Sequence, residues 1–294
     1  MALGCSLVMR CTMDVKAKLL ELCKQAIGLN IGNEEEYKLG GSRFGGVPDV
    51  PEDFVWPTFT TGDRYYETKE RYLSFLAQFN CSELVEFDKE HLLPDHGILS
   101  FFYELDTQRW GFDPKDKGCA RVYYFEDVSK LRAATFPSDM HEDFIMPCLK
   151  IELKKKDSYP QWEDISEVCP EIRDEDDDKV EKIYEEMGAY NDDENHSQLL
   201  GWPNTIQGSM FSECDLVSQG YKLGDGYKDV PKSIRNEAEK SSTDRWMLLF
   251  QLDTVETDDF ELMWGDCGHI YFFIQKDDLV ARRFDKVWLV LQCY

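Results

Sequence analysis

No Cys-x-x-Cys pair occurs among the ten cysteines of this 294-residue chain. Disulfide frameworks and cysteine-built zinc sites both favour regular cysteine spacing, so neither is expected. Several thiols instead sit inside apolar stretches (Cys23, Cys148, Cys293), as free buried cysteines of a reducing compartment do. Long hydrophobic runs are also missing: no stretch approaches the roughly 18 apolar residues of a membrane span. The opening Met1–Arg10 is apolar but lacks a basic leader, so it does not read as an export signal. Residues 1–13 read as a flexible extension ahead of a second possible start at Met13. The expectation is a cytoplasmic protein.

Positive charge is scarce. Lys and Arg number 33 against 58 Asp and Glu, a formal net charge of −25, which argues against nucleic acid or an anionic lipid surface as partner. Between Asp157 and Asn195 there are 16 acidic residues and only Arg173, Lys179 and Lys182 to offset them, so half of the excess lies in one segment. Such a run is a solvated helix and loop, or a surface that steers a basic protein partner.

Catalytic signatures are absent too. No serine lies in Gly-x-Ser-x-Gly and no cysteine in a nucleophile motif. The five histidines, at 91, 96, 141, 196 and 269, share no metal-ligand spacing, and Cys267-Gly268-His269 is too short to hold an ion. Neither metal nor cofactor is expected. The glycine-rich Gly40–Gly46 loop carries Arg43 and could wrap an anion, but it lacks the phosphate-loop spacings and reads better as a structural loop.

What the chain does contain is a pattern stated twice. Phe75-Leu76-Ala77-Gln78-Phe79 precedes Asp95-His96-Gly97-Ile98-Leu99-Ser100-Phe101-Phe102 and then Arg121–Tyr124. Leu248-Leu249-Phe250-Gln251-Leu252 precedes Asp266-Cys267-Gly268-His269-Ile270-Tyr271-Phe272-Phe273 and then Lys286–Leu289. Gln78 lies 19 residues before Gly97 and Gln251 lies 17 before Gly268. A fixed order of like elements is the mark of internal duplication. Aligning the glutamines predicts that Leu73, Phe75, Ala77 and Phe79 share one strand face, as do Trp246, Leu248, Phe250 and Leu252. Apolar residues on the other face (Leu76, Leu249) predict strands covered on both sides. Upstream, Gly45-Gly46-Val47-Pro48 is echoed by Leu200-Gly201-Trp202-Pro203.

The fold class expected is α+β, with two β-rich lobes, an N-terminal helix and helical insertions. The helix is predicted over 14–27 with Gly28 as its stop. Residues 14–131 hold the N-terminal helix, the Gly-rich loop and the first β-rich repeat, 132–195 an acidic connector with a strand at 147–154 and a charged helix near 175–187, and 196–294 the second repeat with a helix at 231–240. A turn-rich loop is predicted over Trp110–Gly118.

Several motifs in order, Arg43–Pro48, Phe75–Gln78, Trp110–Gly118, Leu199–Gln207, Met263–Phe272 and Val287–Tyr294, resemble the YwqG-like family of bacterial and protist proteins. The resemblance runs from about residue 15 to the end and implies one α+β domain with pseudo-repeated sheets. The family has no established activity, and some relatives are encoded near secreted toxin systems. Three readings follow. The first is a non-catalytic module binding a small molecule or a basic protein. The second is an enzyme acting on a small molecule or glycan in a cleft between lobes, and the third an immunity-like protein. The residues assigned to that cleft are Arg43, Gln78, Trp110, Asp113, His196, Gln207, Gln251, Trp264 and Asp266. The glutamines would orient a ligand or bond neighbouring backbone, and Trp110/Asp113 and Trp264/Asp266 pair an aromatic plate with a carboxylate, suited to a sugar or peptide.

Overall fold

The computed structural model describes residues 14–174, 177–189, 195–224 and 226–294. The predicted extension over 1–13 and parts of the acidic segment therefore lie outside the described residues. Ten strands build one antiparallel sheet: β1 (Lys24–Glu34), β2 (Arg43–Phe44), β3 (Ser74–Asn80), β4 (Ile98–Tyr103), β5 (Ala120–Phe125), β6 (Leu149–Ser158), β7 (Gln198–Leu199), β8 (Trp246–Asp253), β9 (His269–Gln275) and β10 (Trp288–Gln292). Their order is β10-β9-β8-β7-β1-β6-β2-β3-β4-β5. The long pair β1–β6 is central, with a four-strand flank on each side. β1 precedes the first flank in sequence yet pairs with β7 of the second, while β6 precedes the second yet pairs with β2 of the first.

The strands form where aromatic and β-branched residues concentrate. The sheet curls so that the inner faces of its flanks meet. Phe101 on β4 lies 4.7 Å from Phe250 on β8 and 5.2 Å from Phe272 on β9, ring centre to ring centre. One hydrophobic core thus draws on both flanks, and side chains fill the space between them. The outer face of β8–β10 is covered by α4 (Phe211–Ser218) and α5 (Lys232–Arg245), and that of β3–β5 by Phe54 and Trp56. Both faces are buried, as the apolar pattern predicted.

Three details depart from the sequence reading. Leu73 and Phe75 do not share a face with Ala77 and Phe79: a bulge between Phe75 and Ala77 turns the first pair outward and leaves the second in the inner core. The second flank has its bulge at the matching place, between Leu248 and Phe250. The N-terminal helix, α1, covers only Val15–Leu22, and residues 24–34 are the central strand. Gly28 pairs with both Lys154 and Gln198, so the expected helix stop sits in mid-sheet, where two ladders outweigh a helical pattern. Finally, Arg121 and Trp288 oppose Phe102 and Phe273, placing the third strands two residues from the expected register.

The connector supplies α2 (Trp162–Val168) and α3 (Asp177–Glu186), and Gly188 follows α3 with φ 62°, as a helix stop should. Ile165 of α2 and Val180 and Tyr184 of α3 pack with Val15 and Leu19 of α1 in a separate small core. This layer stands beside the β7 end of the second flank. No helix among the described residues is long and apolar enough to cross a membrane.

Candidate functional site

The two aligned glutamines are both fully buried, and each bonds backbone groups on both sides of a short strand. Gln78 Oε1 accepts from the Asp49 N–H (3.0 Å) while its Nε2 donates to Gly41 O (2.9 Å) and Asp49 Oδ2 (2.7 Å). Gln251 Oε1 accepts from the Asn204 N–H (2.9 Å) while its Nε2 donates to His196 O (2.9 Å). Each amide thereby staples the loop around a two-residue strand, meeting the demand of a buried polar group. Gly45-Gly46 and Leu200-Gly201 after those strands adopt matching left-handed backbone, φ 58° and 67° against 61° and 78°.

Those shared contacts set the two flanks in register. Gly41 corresponds to His196, Asp49 to Asn204, and the Asn80–Ile98 cross-strand pair to Asp253–His269. In the second flank these positions hold a polar cluster. His269 Nδ1 lies 2.9 Å from Asp253 Oδ1, and its Nε2 is 3.1 Å from Asn204 Oδ1. The His196 N–H donates to Asp253 Oδ2 at 3.0 Å, and the two imidazoles stand 5.7 Å apart. Burial opposes ionisation of Asp253, but His269 and the His196 N–H together hold its carboxyl below the usual range. The first flank keeps the same backbone with Gly, Asn and Ile there. Sheet geometry therefore does not require His196, Asp253 and His269.

That cluster forms one wall of a cavity of about 570 Å³. The facing wall comes from α2 and α3: Trp162, Glu163, Glu181 and Tyr184. Among the described residues the lining includes the carboxylates Glu163, Glu181 and Asp253, and no Lys or Arg. Glu163 also borders a second cavity of about 870 Å³, which holds Glu167, Glu213, Gln207 and Arg235.

Asp164 lies below, fully buried, accepting from Thr205 Oγ1 at 2.9 Å. Burial pushes its carboxyl up to about 7, against the Ser209 and Thr205 hydroxyls that favour the charged form. Burial, with the Asp164 charge adding to it, lifts Glu167 to about 7, and burial alone lifts Glu213 to about 8. A carboxyl raised in the folded state stabilises fully below its unfolded value, and that contribution is lost as pH rises through 7–8. Stability in urea is therefore expected to fall between pH 5 and 8. Asp164→Asn should flatten that fall by on the order of 2–3 kcal/mol, since each tenfold change in an acid's dissociation constant is worth about 1.4 kcal/mol. Parallel pH curves for the two proteins would refute this.

The nine residues assigned from sequence do not line one space. Arg43 is buried against Asp49, its guanidinium 2.9 Å from the carboxylate. Trp264 is buried against Tyr103 at 5.9 Å, its indole N–H donating to Asp253 O. Asp266 is exposed, and its carbonyl accepts from the Tyr294 N–H. Trp110 and Asp113 line a separate groove, Gln207 lines the second cavity, and His196 alone reaches the first. Sequence reasoning missed Asp253, His269 and Asn204 as a group, and with them Trp162 and Glu163. A signal was present: Asp253 against Asn80 and His269 against Ile98 are positions where the aligned motifs differ in chemistry.

These features define an α+β protein with one curled antiparallel sheet and a side cavity walled by connector helices. The chain belongs to the family described as a domain of unknown function (DUF1963), whose model matches residues 42–293, and the YwqG-like proteins it resembles are of that family. No curated protein matches the chain.

Proposed function

We propose that the protein is a non-catalytic binding module whose first cavity receives a cationic group, the guanidinium or ammonium of a basic protein partner. The observation that carries this reading is the lining itself: three carboxylates and the rings of Trp162, Tyr184 and His196, with no Lys or Arg among the described residues. Carboxylates beside aromatic faces attract a desolvated cation through charge and ring quadrupole together. His269 Nδ1 lies 2.9 Å from Asp253 Oδ1 and its Nε2 3.1 Å from Asn204 Oδ1, so the imidazole is held between side chains of the wall and helps to shape it. The net charge of −25 would speed capture of a basic partner at low salt.

The matched staples, bulges and left-handed turns support an origin by tandem copying, with one copy inside 14–131, after the N-terminal helix, the other in 196–294, and 132–195 as the connector that gave one of them a cavity. Eight described cysteines are free, which suits a cytoplasmic setting.

Calorimetry of the full chain with hexa-arginine is expected to show binding that weakens as salt is raised, while hexa-glutamine gives none. Glu163→Gln with Glu181→Gln should cost about tenfold in affinity, or about 1.4 kcal/mol. Hexa-arginine bound equally by the double variant, or not bound at all, would overturn the reading.

A further inference from the structure

We infer that the groove beside Trp110 is a binding site for a neutral oligosaccharide, distinct from the cationic cavity and independent of it. The groove encloses about 750 Å³ between the hairpin Thr58–Thr61/Lys69–Tyr72 and the loop that carries Trp110.

The first observation is where the exposed aromatics lie. Among the described residues the exposed aromatic side chains are Tyr37, Tyr65, Tyr66, Trp110, Trp162 and Tyr294. Three of these six, Tyr65, Tyr66 and Trp110, line this one groove. Leaving rings in water forgoes burial, and clustering them in a concavity supplies flat apolar plates to a ligand. A pyranose offers the matching surface, a patch of C–H groups on one face with hydroxyls around the edge.

The second observation is charge. Asp63, Asp113 and Asp116 are balanced by Arg109, Lys115 and Lys222 in the lining, within a protein of net charge −25. A local balance in so acidic a chain favours neither cation nor anion, and so favours an uncharged polar ligand. The partners for its hydroxyls are at hand. The hydroxyls of Thr60, Thr68 and Tyr66 and the indole N–H of Trp110 make no hydrogen bond among the described residues. Hydroxyls both donate and accept, as do those of a sugar.

The third observation is rigidity. Asp63 Oδ1 accepts from the N–H groups of Tyr65 (2.8 Å) and Tyr66 (3.1 Å), fixing the turn that presents both rings. Asp63 Oδ2 takes Arg109 at 3.1 Å, and Arg109 Nε donates to Thr107 Oγ1 at 2.7 Å, tying the hairpin to the Trp110 loop. Gln108 anchors that loop from behind, donating to Met263 O and accepting from the Gly265 N–H. Plates held this way lose little freedom when a ligand stacks on them.

The test titrates the full chain with maltohexaose, cellohexaose and chitohexaose, reading calorimetry and tryptophan fluorescence. Trp110→Ala removes the largest plate but keeps the carbonyl that accepts from the Leu291 N–H, and Tyr65→Ala with Tyr66→Ala removes the others. Unchanged thermal unfolding will show that both variants fold. At least one sugar is expected to bind the parent, and each variant to bind it about tenfold or more weakly. No binding of any of the three up to about 10 mM, a free energy near −3 kcal/mol, would overturn the inference. So would affinity that survives in both folded variants.

Discussion

Arg43→Met is expected to lower the unfolding free energy by about 3–5 kcal/mol, because it leaves a buried carboxylate without its cation. Arg43 is 1% exposed and Asp49 0%. The guanidinium also donates to Lys38 O and Gly41 O (3.2 Å each) and to Val47 O; the first two carbonyls keep the Gly41 N–H and Gln78 Nε2 as donors, while Val47 O loses its donor with the charge. Asp49 would keep donors in Gly40 N–H (2.6 Å), Tyr37 OH (2.7 Å) and Gln78 Nε2 (2.7 Å). Burial opposes ionisation of this carboxyl, and Arg43 is first among the groups that nonetheless hold it below the usual range. Urea unfolding followed by tryptophan fluorescence measures the loss. A change under about 1 kcal/mol, the worth of an exposed pair, would mean that the ion pair does not organise this loop.

Phe101→Ala should cost as much, about 3–5 kcal/mol, through the cavity it opens between the flanks. Its ring meets Phe79 at 5.7 Å in its own flank and Phe250 and Phe272 in the other. A double-mutant cycle with Phe250→Ala should return a coupling of about 0.5–1.5 kcal/mol, the worth of an aromatic pair beyond area. Strict additivity would indicate that the flanks do not pack through these rings in solution.

Much of this architecture was legible in the residues. The strands around Gln78 and Gln251 announce themselves by aromatic and β-branched runs, and the glutamines by their shared place in two similar motifs. The backbone role of those amides followed from the cost of burying them alone. The bulges were not legible, because an extra residue in a ladder depends on the register of its neighbour. The central strand is hidden in the sequence because Val15, Leu19, Leu22, Ala26 and Ile27 also fit a helical period, while its partner Leu149–Ser158 lies far along the chain. The cavity escapes for a similar reason. His269 meets Asp253 across two strands, and Trp162 and Glu163 come from a segment outside both of the similar motifs.

The exchange of β1 and β6 between flanks bears on synthesis. Ile31 pairs with Ile151 and Lys24 with Ser158, so the middle of the sheet closes only after more than a hundred further residues have emerged. At ribosomal rates of about 5–20 residues per second, the first of these strands waits for several seconds or longer beside the tunnel exit with both edges unpaired. Ala26, Ile27 and Leu29 are then open to any passing chain. Chaperone demand should peak on nascent chains cut before about residue 150 and fall once the stretch through Ser158 is outside.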